Sequence, residues 1–362
     1  MATHYNFAIV GAGMAGASLA AALVAHGAGV LLIEAESQPG YHSTGRSAAF
    51  WTESYGGPGV QPLTTASGPA LAQGGYLHRR GALTIARSGQ ALDLEKFAAR
   101  FEALGVTVER LGRDDIAQHI PGLRADWTAG ALEPSCCDID VARLHQDYLA
   151  CAAKGGAELW RSARLTGAGQ VTGGWLLATA DGRTARAAIL INAAGAWADQ
   201  VAELAGIPPL GIQPMRRTMV QVRTAPAPLN ELPVVLDLGE QFYFKPEHGK
   251  LWLSPHDEVP TPPCDAAPEE LAVAEAIDRL EQVVDWQVER VEHRWAGLRS
   301  FAPDRLPVYG FSPANPRFFW FAGQGGFGIQ TAPAAADLAA GLLIGQPHGA
   351  VDPQPYSPAR FS

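Results

Sequence analysis

The sequence predicts an α/β chain, α+β overall, in which a Rossmann-like domain with a parallel sheet is joined to a second domain built on an antiparallel β-sheet. Three observations carry this. Gly11-x-Gly13-x-x-Gly16 lies between an apolar run and an alanine-rich segment. Two further apolar runs, AAILINAAGAW at 187–197 and FFWFAG at 318–323, also end in glycine ahead of helical stretches. Such continuous runs suit strands buried on both faces of a parallel sheet. Elsewhere, strand-like pieces at 83–87, 175–180, 218–223, 241–245 and 250–253, several separated by turn residues, predict the antiparallel sheet.

In chain order, residues 5–10 form the first strand, 11–16 a glycine turn, 15–26 a helix, and 30–34 the second strand, together a compact β-α-β unit. The Pro-rich stretches 224–233 and 259–268 are expected as loops. A helix is expected over 268–284, with Glu269 and Glu270 favourably placed at its positive N-terminal end. FAGQGGFGIQTAPAAADLAA, at 321–340, repeats the strand, glycine turn and helix of the opening segment. The expected division is one discontinuous domain from 1–50, 140–215 and 305–362, and a second from 51–139 and 216–304.

Composition narrows the function. With 362 residues and 47% hydrophobic positions, the chain can bury a large core and is expected to exceed one domain. A net charge of −9, with no basic run longer than Arg79-Arg80 or Arg216-Arg217, argues against nucleic acid as a partner. Cys136, Cys137, Cys151 and Cys264 show neither a CxxC spacing nor a neighbouring histidine pair, so no metal site or disulfide framework is expected, and reduced cytoplasmic thiols are. Residues 6–33 carry no Asp, Glu, Lys or Arg, but glycines and His26 interrupt them and no basic segment precedes them. A buried strand-helix-strand unit therefore explains them better than an integral membrane segment or a signal peptide.

The glycine motif has a specific physical reading. It follows a strand, opens a helix, and is followed by Glu34, 18 residues beyond Gly16, at the end of the next strand. Glycine permits a tight turn and close pyrophosphate approach, the helix start presents free N–H groups to the anion, and the acid accepts ribose hydroxyls. Both FAD and NAD fit this fingerprint. Gly325, Gly326, Phe327 and Gly328 favour a flavin, because a second helix mouth can donate N–H groups to the flavin pyrimidine edge. One ligand gripped at both ends is the expectation.

Read together, VGAGMAGAS, EAESQPGYHSTGRSAAF, INAAGAWAD, IQPMRR, FYFKPE, WAGLRSFAPD and GQGGFGIQT resemble, in that order, the D-amino-acid oxidase superfamily. The likeness is greatest to bacterial FAD-dependent D-amino-acid dehydrogenases of the D-arginine dehydrogenase type. It implies a FAD domain of the glutathione-reductase-like type, with noncovalent FAD, and a substrate domain whose β-sheet lies over the flavin. By position it implies cofactor contacts from Gly11, Gly13, Ala15, Gly16, Glu34, Ala35, Ser43, Thr44, Gly45, Arg46, Ser47, Ala48, Ala49, Ala194, Gly195, Gly325, Gly326, Phe327, Gly328 and Ile329.

A guanidinium matches a carboxylate with two parallel N–H donors. Arg299 is similar to the family arginine that holds the substrate carboxylate, and Tyr243 to the tyrosine that adds a hydrogen bond. Arg217 matches a further arginine near the pocket, although Arg216 beside it leaves that register open. The loop 50–57 resembles a mobile lid, with Tyr55 closing on substrate. The implied reaction is oxidation of an amino acid to an imino acid and then to a 2-oxo acid and ammonia, with electrons passing to quinone or oxygen.

Two departures bear on specificity. Ala82 stands where the D-arginine enzymes carry glutamate, and Phe50 where they carry histidine. A cationic side chain would then be buried unpaired, so neutral or apolar side chains are expected, unless Glu53 supplies an acid from the adjacent loop. A glycine or N-methylglycine oxidase and a noncatalytic flavin-binding subunit remain alternatives.

Overall fold

The computed structural model describes residues 4–346 and 349–362. Among them, five parallel strands run in the order Glu158–Trp160, Val30–Ile33, His4–Val10, Thr184–Asn192 and Asn315–Ala322. The antiparallel strands Leu165–Val171, Gly174–Thr179 and Val308–Ser312 complete this sheet at eight. The alternation of side chains across the pleat gives each strand two cores. Leu190 joins one with Trp175, Trp320, Val201 and Ala202. Its neighbour Ile191 joins the other, against Leu19 and Leu23 of the helix Met14–Ala25 and Leu338 of the helix Ala332–Ile344. Both helices are apolar nearly all round because they are sandwiched rather than half-exposed.

A second, ten-stranded sheet is antiparallel except where Val234–Asp237 runs parallel to Ala82–Arg87. Its spine is the pair Gln213–Ala225 and Gln287–Phe301, registered from Gln213 opposite Phe301 to Ala225 opposite Gln287. One face packs on the helix Glu270–Glu281 through Val220, Val222, Leu253, Val273 and Leu280. The other face, carrying Arg217, Met219 and Tyr243, looks toward the first sheet's glycine turns. A small sheet of Phe50–Trp51, Cys137–Ile139 and Leu77–Arg79 lies beside them.

Several sequence expectations need correction. The run 175–180, grouped with the second sheet, pairs instead with Leu165–Val171 and Thr184–Asn192 in the first. A hairpin strand has the same local pattern whichever sheet it extends. The stretch 259–268 includes a short strand, Val259–Pro260, paired with Met215–Arg216. The helix expected over 268–284 covers only Glu270–Glu281, because Val283 and Val284 turn back into the core after its end.

Leu190 and Ile191 are both fully buried, so Leu190→Ala and Ile191→Ala are each expected to cost about 2–5 kcal/mol. Urea unfolding followed by fluorescence checks this. A cost under about 1 kcal/mol would mean that the core on that face repacks.

Candidate functional site

A cleft of about 320 Å³ opens over the C-terminal ends of the parallel strands, where ligands bind in open α/β sheets. Its walls include Val10, Gly11, Ile33, Glu34, Ala193, Gln324 and Gly325, and it runs on to Arg299 and Ser300 of the second sheet. Gly11 has φ +99, and a Cβ there would stand 2.5 Å from the Ala193 carbonyl oxygen. A Cβ on Gly16 would lie 1.9 Å from the Gly11 carbonyl oxygen. These two glycines bring strand, turn and helix into backbone contact. Glu34, at the next strand's end, accepts from the Ala12 N–H at 2.8 Å and the Glu36 N–H at 2.9 Å. Thr44 Oγ1 accepts from the Met14 N–H at 3.0 Å at the helix start.

Two buried polar atoms on the cleft wall lack a hydrogen-bond partner among the described residues: His42 Nδ1 and Ser300 Oγ. His42 Nε2 faces a Glu36 carboxylate oxygen at 3.1 Å, which can only accept, so Nε2 is the donor of that pair. With glycine cradles at both ends and orphaned polar groups between them, the residues fit a long polyhydroxylated anion such as a dinucleotide.

Of the residues named for that ligand, Gly11, Gly13, Ala15, Glu34, Ala35, Ser43, Thr44, Ser47, Ala194, Gly195, Gly325, Gly326, Gly328 and Ile329 line the cleft. Gly16 and Gly45 lie behind the wall in backbone contacts. Ala48 is buried with Met219 and Tyr243, and Ala49, at φ +60, leads into Phe50. Arg46 turns away, donating to the Ala266 and Ala296 carbonyls and pairing with Asp265. Phe327 packs its ring on Tyr55 and Phe301. Sequence reasoning missed His42, Arg164, Trp197, Gln200 and Ser300 on the wall. No local motif marks them; they arrive from separate elements.

Across the cleft's end, strand alternation resolves the Arg216-Arg217 ambiguity. Arg216 points to Glu269 on the helix side, whereas Arg217 points to Tyr55. Arg217 is pinned, donating to the Asp257 carbonyl at 2.9 Å and pairing with Glu258 at 3.0 Å. Arg299 is 7% exposed and has neither a hydrogen bond nor an ion pair among the described residues. Its Nη1 would meet a Cβ on Gly297 at 3.2 Å, so the glycine gives the guanidinium its place. Burial pulls its pKa down, but from a starting point so high that it stays charged.

Tyr243, 3% exposed, gives its hydroxyl to the Met219 sulfur at 3.1 Å, a weak acceptor. Burial pushes its pKa above that of an ordinary tyrosine, which keeps the hydroxyl a donor in alkaline solution. Phe50 lies edge-on to both Tyr243 and Tyr55. His256, also missed, packs between the same tyrosines.

The loop carrying Tyr55 is closed down. Buried Glu133 accepts from Thr52 Oγ1 at 2.7 Å, the Glu53 N–H at 2.7 Å and the Ser54 N–H at 3.2 Å. Gln330 donates to the Tyr55 carbonyl at 3.2 Å. Glu53 does not supply the pocket acid considered from sequence, because its carboxylate accepts from Thr65 and Ser135 instead. Ala82, Cys136 and Val234 pack with Phe50 and Leu236 into an apolar wall.

Among the described residues, no helix is long and apolar enough to cross a membrane, and no group of three or more His, Cys, Asp or Glu is placed to hold a metal.

Gly11→Ala forces a side chain into the Ala193 carbonyl at a positive φ, so the purified variant is expected to lose its bound dinucleotide. The ratio of cofactor to protein absorbance after gel filtration measures this. Full retention would place the ligand elsewhere.

Known proteins agree with this geometry. A model of the family DAO, FAD dependent oxidoreductase, matches residues 6–342. Over 273 residues the chain is 26% identical to the hydrogen cyanide synthase subunit HcnC of Pseudomonas aeruginosa, covering 74% of this chain and 63% of that one. It is 29% identical over 173 residues to a glycine oxidase of the same species, 47% of this chain and 45% of the relative. The chain thus spans less than two thirds of either relative's length. Among solved structures, glycine oxidase from Geobacillus kaustophilus superposes with a TM-score of 0.86 at 24% identity, covering 98% of both chains. L-Proline dehydrogenase from P. horikoshii gives 0.88 at 20% identity, covering 100% of this chain and 98% of the other; these likenesses show the shared fold. With the family match running through both glycine turns and the second sheet between them, the chain belongs to the DAO family of FAD-dependent oxidoreductases, and its cofactor is FAD.

Proposed function

We propose that the protein is a D-amino-acid dehydrogenase that converts D-amino acids with neutral or apolar side chains to 2-oxo acids and ammonia. The observation that carries this reading is Arg299, a buried guanidinium with no acid of its own at the end of the FAD cleft. Burying an unpaired charge is costly, and an anionic ligand offsets the cost. Tyr243 supports the same role, since a carboxylate is a far better acceptor for its hydroxyl than the Met219 sulfur. The D configuration rests on the resemblance of the ordered motifs to the D-arginine dehydrogenase type.

FAD supplies, at flavin N5, the acceptor for the α-hydrogen that leaves the substrate as hydride. The chain's residues hold and enclose the substrate. Arg299 and Tyr243 fix its carboxylate, Tyr55 covers it, and the wall of Phe50, Ala82 and Leu236 receives its side chain. The imino acid then takes up water to give the 2-oxo acid and ammonia. FAD is held without a covalent bond, as the resemblance to the D-arginine dehydrogenase type implies. Electrons leave to a quinone or to oxygen, and four free thiols support a reducing, cytoplasmic setting.

A glycine or N-methylglycine oxidase is a second reading, favoured by the glycine oxidases among the relatives. Anaerobic bleaching of the flavin by D- and L-amino acids, glycine, N-methylglycine and 2-hydroxy acids, followed by air, separates the two. Bleaching by neutral D-amino acids with slow return in air is the expected result. Bleaching by N-alkyl glycines alone, or rapid return, supports the oxidase; bleaching by 2-hydroxy acids and by no amine supports a 2-hydroxy acid dehydrogenase, and no bleaching at all leaves a noncatalytic flavin-binding subunit.

Arg299→Met is expected to lower kcat/KM by at least about 30-fold, roughly 2 kcal/mol, because the substrate carboxylate would be buried unpaired. Flavin reduction is expected to slow as pH falls below the substrate amine's apparent pKa, since hydride leaves more readily from the neutral amine. With the pKa of Tyr243 raised, substrate affinity is expected to hold through about pH 10, where an ordinary tyrosine would be half ionised. Stopped-flow reduction against pH checks both; a flat rate profile would count against the mechanism, and affinity failing near pH 9 would count against Tyr243 as donor.

A further inference from the structure

His256 lies outside the motifs that define the site, yet it is built into the substrate end. Its ring centroid stands 5.7 Å from that of Tyr243 and 6.3 Å from that of Tyr55. Its Nδ1 faces the Glu240 carbonyl oxygen. A carbonyl can only accept, so Nδ1 carries the proton and Nε2 is a bare acceptor. That Nε2 is buried without a hydrogen-bond partner among the described residues.

The chain is also forced to deliver it. His256 adopts φ +53, a left-handed conformation that is uncommon outside glycine, with its N–H held by Ser254 Oγ at 3.1 Å. Burial, reinforced by Arg217, depresses its pKa to about 3, and Arg305 and Arg299 act in the same direction. The ring therefore stays neutral through the working pH range, and Nε2 stays an acceptor. The guanidinia that act on it include two already engaged, Arg217 with Asp257 and Glu258 and Arg305 with Glu258.

The position of the ring decides which part of a substrate it meets. Arg299, Ser300 and Gly325 line the FAD cleft, whereas His256, Tyr55 and Tyr243 do not. The reacting carbon must sit against the cleft, and His256, in ring contact with Tyr243 and Tyr55, lies on the side of the substrate turned away from it. We propose that His256 is a specificity-determining residue whose Nε2 accepts a hydrogen bond from a hydroxyl or amide N–H on the substrate's side chain. This rests on the amino-acid reading above and deepens it: the preferred side chain is uncharged, with an apolar stem against Phe50 and Leu236 and a donor at its tip. A buried acceptor left empty by an apolar substrate disfavours that substrate, the asymmetry by which polar pockets discriminate.

The test compares near-isosteric pairs, D-threonine with D-valine and D-asparagine with D-leucine, by anaerobic flavin reduction in the holoenzyme. The expected kcat/KM ratio favours the donor-bearing member by at least about tenfold. In His256→Leu the ratio is expected to fall close to 1, and in His256→Gln, which keeps an acceptor, to recover in part. Changes common to both members of a pair cancel in the ratio. Equilibrium binding of 3-hydroxybutanoate against 3-methylbutanoate, read from the flavin spectrum, repeats the comparison without turnover. A native ratio near 1, or one unchanged in His256→Leu, overturns the assignment even where neutral D-amino acids bleach the flavin. If no amine bleaches the flavin, the amino-acid reading itself fails first.

Discussion

The structure is organised around keeping one guanidinium buried and unmatched. Arg299 sits on the longest strand, Gln287–Phe301, whose partner Gln213–Ala225 fixes it along its whole length. The acids nearby are already engaged. Asp257 accepts from the Thr218 N–H at 2.6 Å and its hydroxyl at 2.8 Å, and Glu258 pairs with Arg217 and Arg305. A flexible loop could not hold an uncompensated charge out of water, because it would relax toward solvent or toward the first free carboxylate. A continuous antiparallel ladder can, and Gly297 leaves the room the guanidinium needs.

The same strand pair joins the two halves of the site. The last strand of the second sheet is Gln324–Gly325, from the glycine segment that follows the first sheet's strand Asn315–Ala322, and it pairs with Ser300 and Phe301. The glycine segment of the cleft and the strand that carries Arg299 are thus hydrogen-bonded neighbours. A displacement of one sheet relative to the other would move Arg299 against the glycine turn and break those bonds, so the distance between Arg299 and the glycine turn is set by backbone rather than by side chains. Tyr55 is tied into this corner as well. Its ring packs on Phe327, and its hydroxyl would stand 2.8 Å from a Cβ on Gly326.

The parts legible in the sequence were those that a single segment encodes. Gly11-x-Gly13-x-x-Gly16 with Glu34 specifies a turn, a helix start and an acid within one β-α-β unit, and the structure shows that unit. Arg299 and Tyr243 were legible only through the resemblance, because nothing local in RSF or FYF distinguishes a waiting guanidinium or phenol from a satisfied one. The choice between Arg216 and Arg217 needed the strand's register, which a run of alternating and apolar residues does not number. His256, Glu133 and Ser300 were invisible for a related reason. Each matters through what surrounds it, or fails to surround it, in space, and residues such as Glu240, Thr52 and Tyr55 come from distant parts of the chain.

Glu133 shows how a small change in register separates a structural acid from a recognition acid. It lies directly opposite Ala82 on the neighbouring strand, so a carboxylate is present within one strand spacing of the position that lacks one. Had it been free, the pocket would suit a cationic side chain. Instead it collects the Thr52 hydroxyl and two loop N–H groups, and Ser135 donates to it as well. Those donors satisfy its charge without a cation, and to release it for a guanidinium would leave two part-buried N–H groups without their acceptor. That acid thus holds the loop that carries Tyr55, and the apolar wall at Ala82, Phe50 and Leu236 stays uncharged.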